Sequence, residues 1–246
     1  MKLPWKHAIV LGASSGIGKA LAEELLASGV KVALLARRTD AMEAMAKSAP
    51  SDNAKVYGHD VRKYEGIPAL FQQITKDLGG LDLVIYASGS MPSVDEHEYD
   101  FSKDREMLET NLLGGVAWLD EAAKRFEQTK MGTIIGISSV AGERGRRGSP
   151  AYCTSKAALT TFLESLRNRL RRYGVKVVTI KPGFVDTEMT TGKPGLFWLI
   201  SAKEASHRIL SAARSGANTA YVPGRWRYVM FVIKIIPSFV FRHLPI

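Results

Sequence analysis

The chain has 246 residues, 46% hydrophobic and 24% charged, which is the ordinary globular range and enough to bury a full core as one large domain. A single cysteine, Cys153, excludes an intramolecular disulfide framework and fits a reducing compartment. The net charge of +10 asks for an anionic partner, whether a phosphorylated cofactor, an acidic lipid surface or nucleic acid, and does not choose among them.

The chain opens with Lys2 and Lys6 beside an apolar run, residues 7–11, too short for a signal h-region, so a cytoplasmic start is expected. HAIVLG reads as a buried strand and passes into GASSGIG, where Gly12, Gly16 and Gly18 open a helix over 17–28. Glycines there let the backbone turn tightly and approach a pyrophosphate, while the N–H groups around Ser14, Ser15 and Ile17 face its charge. A tight turn without a ligand is the plainer alternative.

KVALLA reads as the second strand and ends at Arg37 and Arg38, where a carboxylate would suit an unphosphorylated ribose. Guanidinium forks suit a 2′-phosphate, so the pair favours NADP over NAD; two solvated arginines are the bland reading. A helix follows over 39–48, then the strand AKVYG, after which Asp60 and Val61 are placed to flank an adenine. Next come a helix over 64–78, the strand LDLVIYA leading to Ala87 and Gly89, and a helix over 103–127 that carries Asn111.

GTIIGIS reads as the fifth strand and leads to Ser139. The helix over 152–172 starts with Tyr152 and Lys156, which i,i+4 spacing puts on one face. VKVVTIKPG, the sixth strand, ends at Pro182 and Gly183. Residues 186–201, with Gly192, Pro194 and Gly195 before a bulky apolar cluster, are expected to form a lid. The tail, 224–246, is apolar but broken by Arg227, Lys234, Pro237 and Arg242, so it should not span a bilayer.

Apolar strands alternating with helices mean a parallel sheet covered on both faces, in a single doubly wound domain. The five histidines are dispersed and no HExxH or Cys/His spacing occurs, so no metal site is expected. RGRR (144–147) and RNRLRR (167–172) lack interleaved aromatics or a nucleic-acid signature; they read as solvated faces or subunit contacts, with no nucleic-acid partner.

Together, GASSGIG (12–18), YASG (86–89), Asn111 in ETNLLG, ISS (137–139), YCTSK (152–156) and PGFVDT (182–187) resemble the short-chain dehydrogenases/reductases, over residues 6–223. The resemblance implies a Rossmann-type doubly wound sheet of about seven strands with helices on both faces. It also implies a nicotinamide cofactor, which Arg37 and Arg38 make NADP(H), reduction of a ketone to an alcohol, and a homo-oligomer. Asn111, Ser139, Tyr152 and Lys156 are carried over as the catalytic tetrad, Ser139 rather than Ser138 because thirteen residues before the tyrosine is the family's usual spacing.

By the same resemblance Lys156 bonds the nicotinamide ribose, Asn111 holds a water, and Pro182, Gly183, Val185 and Thr187 hold the nicotinamide amide. Two positions depart from the pattern: Leu11 replaces a common threonine, and Tyr86-Ala87-Ser88-Gly89 replaces Asn-Asn-Ala-Gly. The chemistry is readable from the side chains. A free phenol, with a pKa of about 10, is a weak acid near neutrality, and a nearby ammonium is expected to lower it so that Tyr152 exchanges a proton with a substrate oxygen.

SSVAGERGRR (138–147) and the ending RYVMFVIKIIPSFVFRHLPI (227–246) resemble a narrower group, the ketoreductase subunits of decaprenylphosphoryl-ribose epimerase systems. That implies a lipid-phosphate-linked keto-sugar as substrate, a ring of arginines around its phosphate, and peripheral contact with the inner face of a membrane. The tail equally suits packing on the domain or on a neighbouring subunit. Two other functions stay open, a reductase of a long-chain fatty or isoprenoid carbonyl and a catalytically silent NADP-binding scaffold.

Overall fold

The computed structural model describes residues 2–50, 53–192 and 195–244; Pro194 of the expected lid and residues 245–246 of the tail lie outside them. Strand β1 (His7–Leu11) is followed by α1 (Gly16–Ala27), β2 (Lys31–Ala36), α2 (Asp40–Ser48), β3 (Ala54–Gly58), α3 (Ile67–Leu78), β4 (Leu83–Tyr86), α4 (Phe101–Leu108) and α5 (Gly114–Thr129). Then come β5 (Thr133–Ile137), α6 (Pro150–Leu170), β6 (Lys176–Pro182), the two-residue strands β7 (Val185–Asp186) and β8 (Ile200–Ser201), and α7 (Ala202–Arg214). Strand β9 (Thr219–Val222), α8 (Trp226–Ile235) and the short α9 (Ser238–Phe241) complete the described chain.

Seven strands pair in the order β3, β2, β1, β4, β5, β6, β9, and every neighbouring pair is parallel. Side chains alternate across a strand, so Ala8 and Val10 of β1 join a core beneath α1, α2 and α7, while Ile9 and Leu11 join one beneath α3, α5 and α6. Both faces being covered, the strands need apolar residues at nearly every position, which is why they read as unbroken runs. Chain connections leave β1 to one side and β4 to the other, so a crevice opens at the carboxyl ends of these two strands.

Three features differ from the sequence reading. The helix expected over 103–127 is two helices joined by a π turn, Glu109–Leu113, with Asn111 at its centre. The seventh strand, β9, has only one fully buried residue and no strong apolar run. Residues 186–201 are not a simple loop, because β7 and β8 pair in parallel and close the excursion at its base.

The tail packs one face on the domain. Trp226 and Met230 of α8 are buried against Val140, Phe184 and Tyr221. A Cβ on Gly183 would lie 1.9 Å from the Trp226 ring, so the indole rests directly on the Pro182–Gly183 backbone. Tyr228, Phe231, Val232, Ile235 and Phe239 stay exposed on the other face. Among the described residues no helix is long and apolar enough to cross a membrane.

Candidate active site

A cleft of about 1150 Å³ opens at the carboxyl ends of β1, β2, β4, β5 and β6. At one end, Gly12 leaves β1 at φ +84°, a left-handed conformation that glycine adopts without strain. A Cβ on Gly18 would lie 2.1 Å from the Gly12 carbonyl oxygen, so the glycine lets α1 sit against the turn. Helix α1 starts with no side-chain cap and no acidic residue in its first turn. Its free N–H groups are left to the cleft beside Ser14, Ser15, Gly16 and Ile17.

Arg37 and Arg38 line the same end, where β2 stops. Arg38 bonds Glu188 of the excursion at 3.0 Å, whereas Arg37 has no hydrogen bond or ion pair among the described residues. Asp60 and Val61 also line the cleft. Asp60 is held in a fork by Arg62, at 3.0 and 2.6 Å, and this hydrogen bonding draws its carboxyl down to about 2. Ala87, Gly89, Pro182, Gly183, Val185 and Thr187 form the walls between this end and α6.

Tyr152 and Lys156 project from the first two turns of α6, with the Lys156 Nζ 5.8 Å from the Tyr152 ring centroid. Ser139 follows β5 and faces the phenol, its oxygen also accepting the Ala141 N–H at 3.0 Å. Ser138 is spent elsewhere, on the Lys156 carbonyl at 2.9 Å and on Thr160. Asn111 is the one predicted residue outside the cleft lining: it is fully buried and holds both the N–H and the carbonyl of Ser90, at 2.7 and 2.9 Å. Its amide also donates to Ser155 at 3.1 Å, which ties the π turn to α6. A Cβ on Gly89 would stand 3.5 Å from Asn111 Oδ1 and 3.6 Å from Lys156 Nζ, so Asn111 borders the site from behind.

Burial draws the Lys156 ammonium down to about 8; it donates to the Ile137 carbonyl at 2.9 Å. Burial pushes the Tyr152 phenol up, and the Ser139 hydroxyl and the Arg146 guanidinium pull it back. The net direction is upward, opposite to the lowering expected from the sequence, although the Lys156 ammonium lies beside the ring.

The expected ring of arginines is also rearranged. Arg144 donates to the Ile233 carbonyl at 2.7 Å and to that of Ile236, so it satisfies the C-terminal end of α8. Arg147 bonds Glu96 at 3.1 Å and the Leu244 carbonyl at 2.8 Å. Arg146 alone of the three lines the cleft. Of the second basic run, Arg167 is a strut to the Val177 and Asn218 carbonyls and to Thr179. Glu188, Met189 and Leu196 of the expected lid join the lining, and sequence reasoning missed Glu106 of α4 and Phe184, ordinary residue types that gave no signal.

The short chain dehydrogenase family model matches residues 6–194. An uncharacterized oxidoreductase of Myxococcus xanthus is 36% identical over 191 residues, 77% of this chain and 76% of its own length. One from Staphylococcus aureus is 35% identical over 185 residues, 75% and 80% of the respective chains. Among solved structures, ElxO with NADP bound superposes with a TM-score of 0.80, over 91% of this chain and 99% of its own, at 22% identity. A tyrosine-to-phenylalanine variant of ElxO with NADPH bound gives 0.82 over the same shares. The parallel sheet, the glycine turn at its switch point and the match over most of the chain agree, and this oxidoreductase belongs to the short chain dehydrogenase family.

Proposed function

We propose that the chain reduces a ketone to an alcohol with NADPH, using Ser139, Tyr152 and Lys156 in the cleft and Asn111 behind it. The observation that carries this reading is the convergence, in one cleft, of a phenol flanked by a hydroxyl with a glycine turn and an arginine that has no ion pair among the described residues. The lining fits the cofactor: Gly12 and Gly18 sit where any Cβ would collide, and Arg37 offers a free fork to a 2′-phosphate. That ElxO, a neighbour in fold, carries NADP supports the same assignment.

NADPH, held by the glycine turn and Arg37, would supply the hydride from its nicotinamide. Tyr152 donates its phenolic proton to the carbonyl oxygen, and the Ser139 hydroxyl donates a hydrogen bond to the same oxygen as its charge develops. Lys156, drawn down to about 8 by burial and lying beside the Tyr152 ring, is the group placed to return a proton toward the phenol. Asn111 fixes the Ser90 backbone, and with it the Gly89 wall against which Lys156 lies. For the wider setting we infer a lipid-linked carbonyl met at the inner face of a membrane, because the exposed face of α8 and α9 is apolar and flanked by Arg225, Arg227 and Arg242. The same face would serve a second copy of the chain.

The test is NADPH oxidation against keto-sugar phosphates, polyprenyl-linked keto-sugars and long-chain ketones. Turnover with one class is expected, falling roughly 10²–10⁴-fold in Tyr152→Phe with NADPH affinity nearly kept. Tight NADPH binding with no turnover across the panel would leave a silent scaffold instead. Equal dissociation constants for NADPH and NADH would overturn the role given to Arg37.

A further inference from the structure

We infer that Arg146 is the subsite for an anionic group, phosphate or carboxylate, on the substrate itself. This rests on the reading that Tyr152 protonates a carbonyl in the cleft. Three arginines fall within residues 144–147, and the tail engages the outer two. Arg144 is held by the carbonyls of Ile233 and Ile236 and stacks on Phe241 at 4.0 Å, and Arg147 is held by Glu96 and Leu244. Arg146, between them, is half-buried in the cleft wall with no hydrogen bond or ion pair among the described residues.

The acidic groups of the cleft do not supply its counter-charge. Three carboxylates line it: Asp60 is forked by Arg62, Glu188 is paired with Arg38, and Glu106 accepts from Ser90 at 2.7 Å. A guanidinium withdrawn from water without a partner is costly, and a carboxylate or phosphate matches its planar fork with two parallel hydrogen bonds. Location decides whose anion it is. Arg37 and Arg38 stand at the β2 end, where the dinucleotide phosphate belongs, whereas Arg146 is close enough to Tyr152 for its charge to be felt by the phenol. The anion is therefore carried by the molecule whose carbonyl oxygen meets Tyr152.

The experiment measures competitive inhibition, at saturating NADPH, of whichever carbonyl of the panel is turned over. The probes are butyl phosphate, butyrate and the neutral isostere butyramide. An inhibition constant at least tenfold lower for one anion than for butyramide is expected, the better anion identifying phosphate or carboxylate as the group read. Arg146→Gln should erase that ratio and Arg146→Lys keep part of it. Equal constants in the unmodified protein overturn the inference without reference to any variant, as does a ratio that survives Arg146→Gln. Inhibition that is absent at saturating NADPH but competitive with NADPH in a parallel subsaturating series also overturns it, since the anion would then occupy the dinucleotide end. Absence of turnover with every carbonyl instead overturns the reductase reading itself.

Discussion

Lys156 carries its charge in an expensive place. It is 4% exposed, with the Ile137 carbonyl as its hydrogen-bond acceptor, and burial has drawn it down to about 8 from an unfolded value near 10.5. Between these two values the unfolded chain binds more protons than the folded one, so the lysine's contribution to stability rises with pH through that window. Below pH 8 both states are charged and the full cost is paid, on the order of 3 kcal/mol. Lys156→Met is therefore expected to melt higher than the unmodified protein at pH 7, with the gap narrowing from pH 8 towards 10. A gap that stays constant with pH, in paired thermal melts, would show that the ammonium is not the source. Tyr152, Lys156 and Ser139 were legible because motif spacing names them. Arg146 was not, since three arginines in four residues look alike until the tail contacts show which one is left over.

At the scale of elements, the buried carboxylate of Glu143 joins three pieces of the chain. It follows the turn after Ser139 and accepts from Lys181 of β6, from Tyr221 of β9 at 2.8 Å and from Lys234 of α8 at 2.9 Å. Burial works against its charge, yet these partners hold it below the ordinary glutamate value. Glu143→Ala leaves the nearly buried Lys181 ammonium without its counter-ion and is expected to cost roughly 3–5 kcal/mol. Denaturant unfolding would measure it; a loss under 1 kcal/mol would mean that water replaces the carboxylate. The departure at Tyr86 has its own compensation. Its phenol donates to the Thr110 carbonyl in the π turn, and a Cβ on Gly114 would come within 2.8 Å of its oxygen. Strands β1 to β6 were legible as apolar runs and β9 was not, and the π turn escaped because a helix with one extra residue keeps nearly the same periodicity.

The whole molecule is a covered sheet with an unpaired apolar strip on its tail. Six of the seven parallel strands follow from alternating apolar runs and helices, which is why this level was the most legible. What the tail does was not, since an amphipathic segment is written alike for packing and for lipid, and the buried Trp226 shows only the first use. If the exposed face meets lipid, the protein should co-sediment with anionic vesicles at low salt and detach as salt screens its charge. Phe231→Glu with Ile235→Glu should abolish the binding while the fold persists, as both side chains are exposed. Removing the whole tail is the poorer experiment, because it takes the indole off Gly183. Dimers that persist in the native protein and vanish in the double variant, without vesicle binding in either, would assign the face to a second copy.

The aromatic contacts between excursion and tail make the cleft optically readable. The chain has four tryptophans. Trp5 is buried with its N–H on Thr133, and Trp118 is fully enclosed in the core, so both give a constant background. Trp198 of the excursion is 40% exposed and its ring centroid lies 5.8 Å from that of Trp226. Opening the excursion would carry Trp198 into water and leave Trp226 in place, shifting the emission to the red. Closure over a ligand could thus be timed by stopped-flow fluorescence on the unlabelled protein, with Trp198→Phe as the dark control.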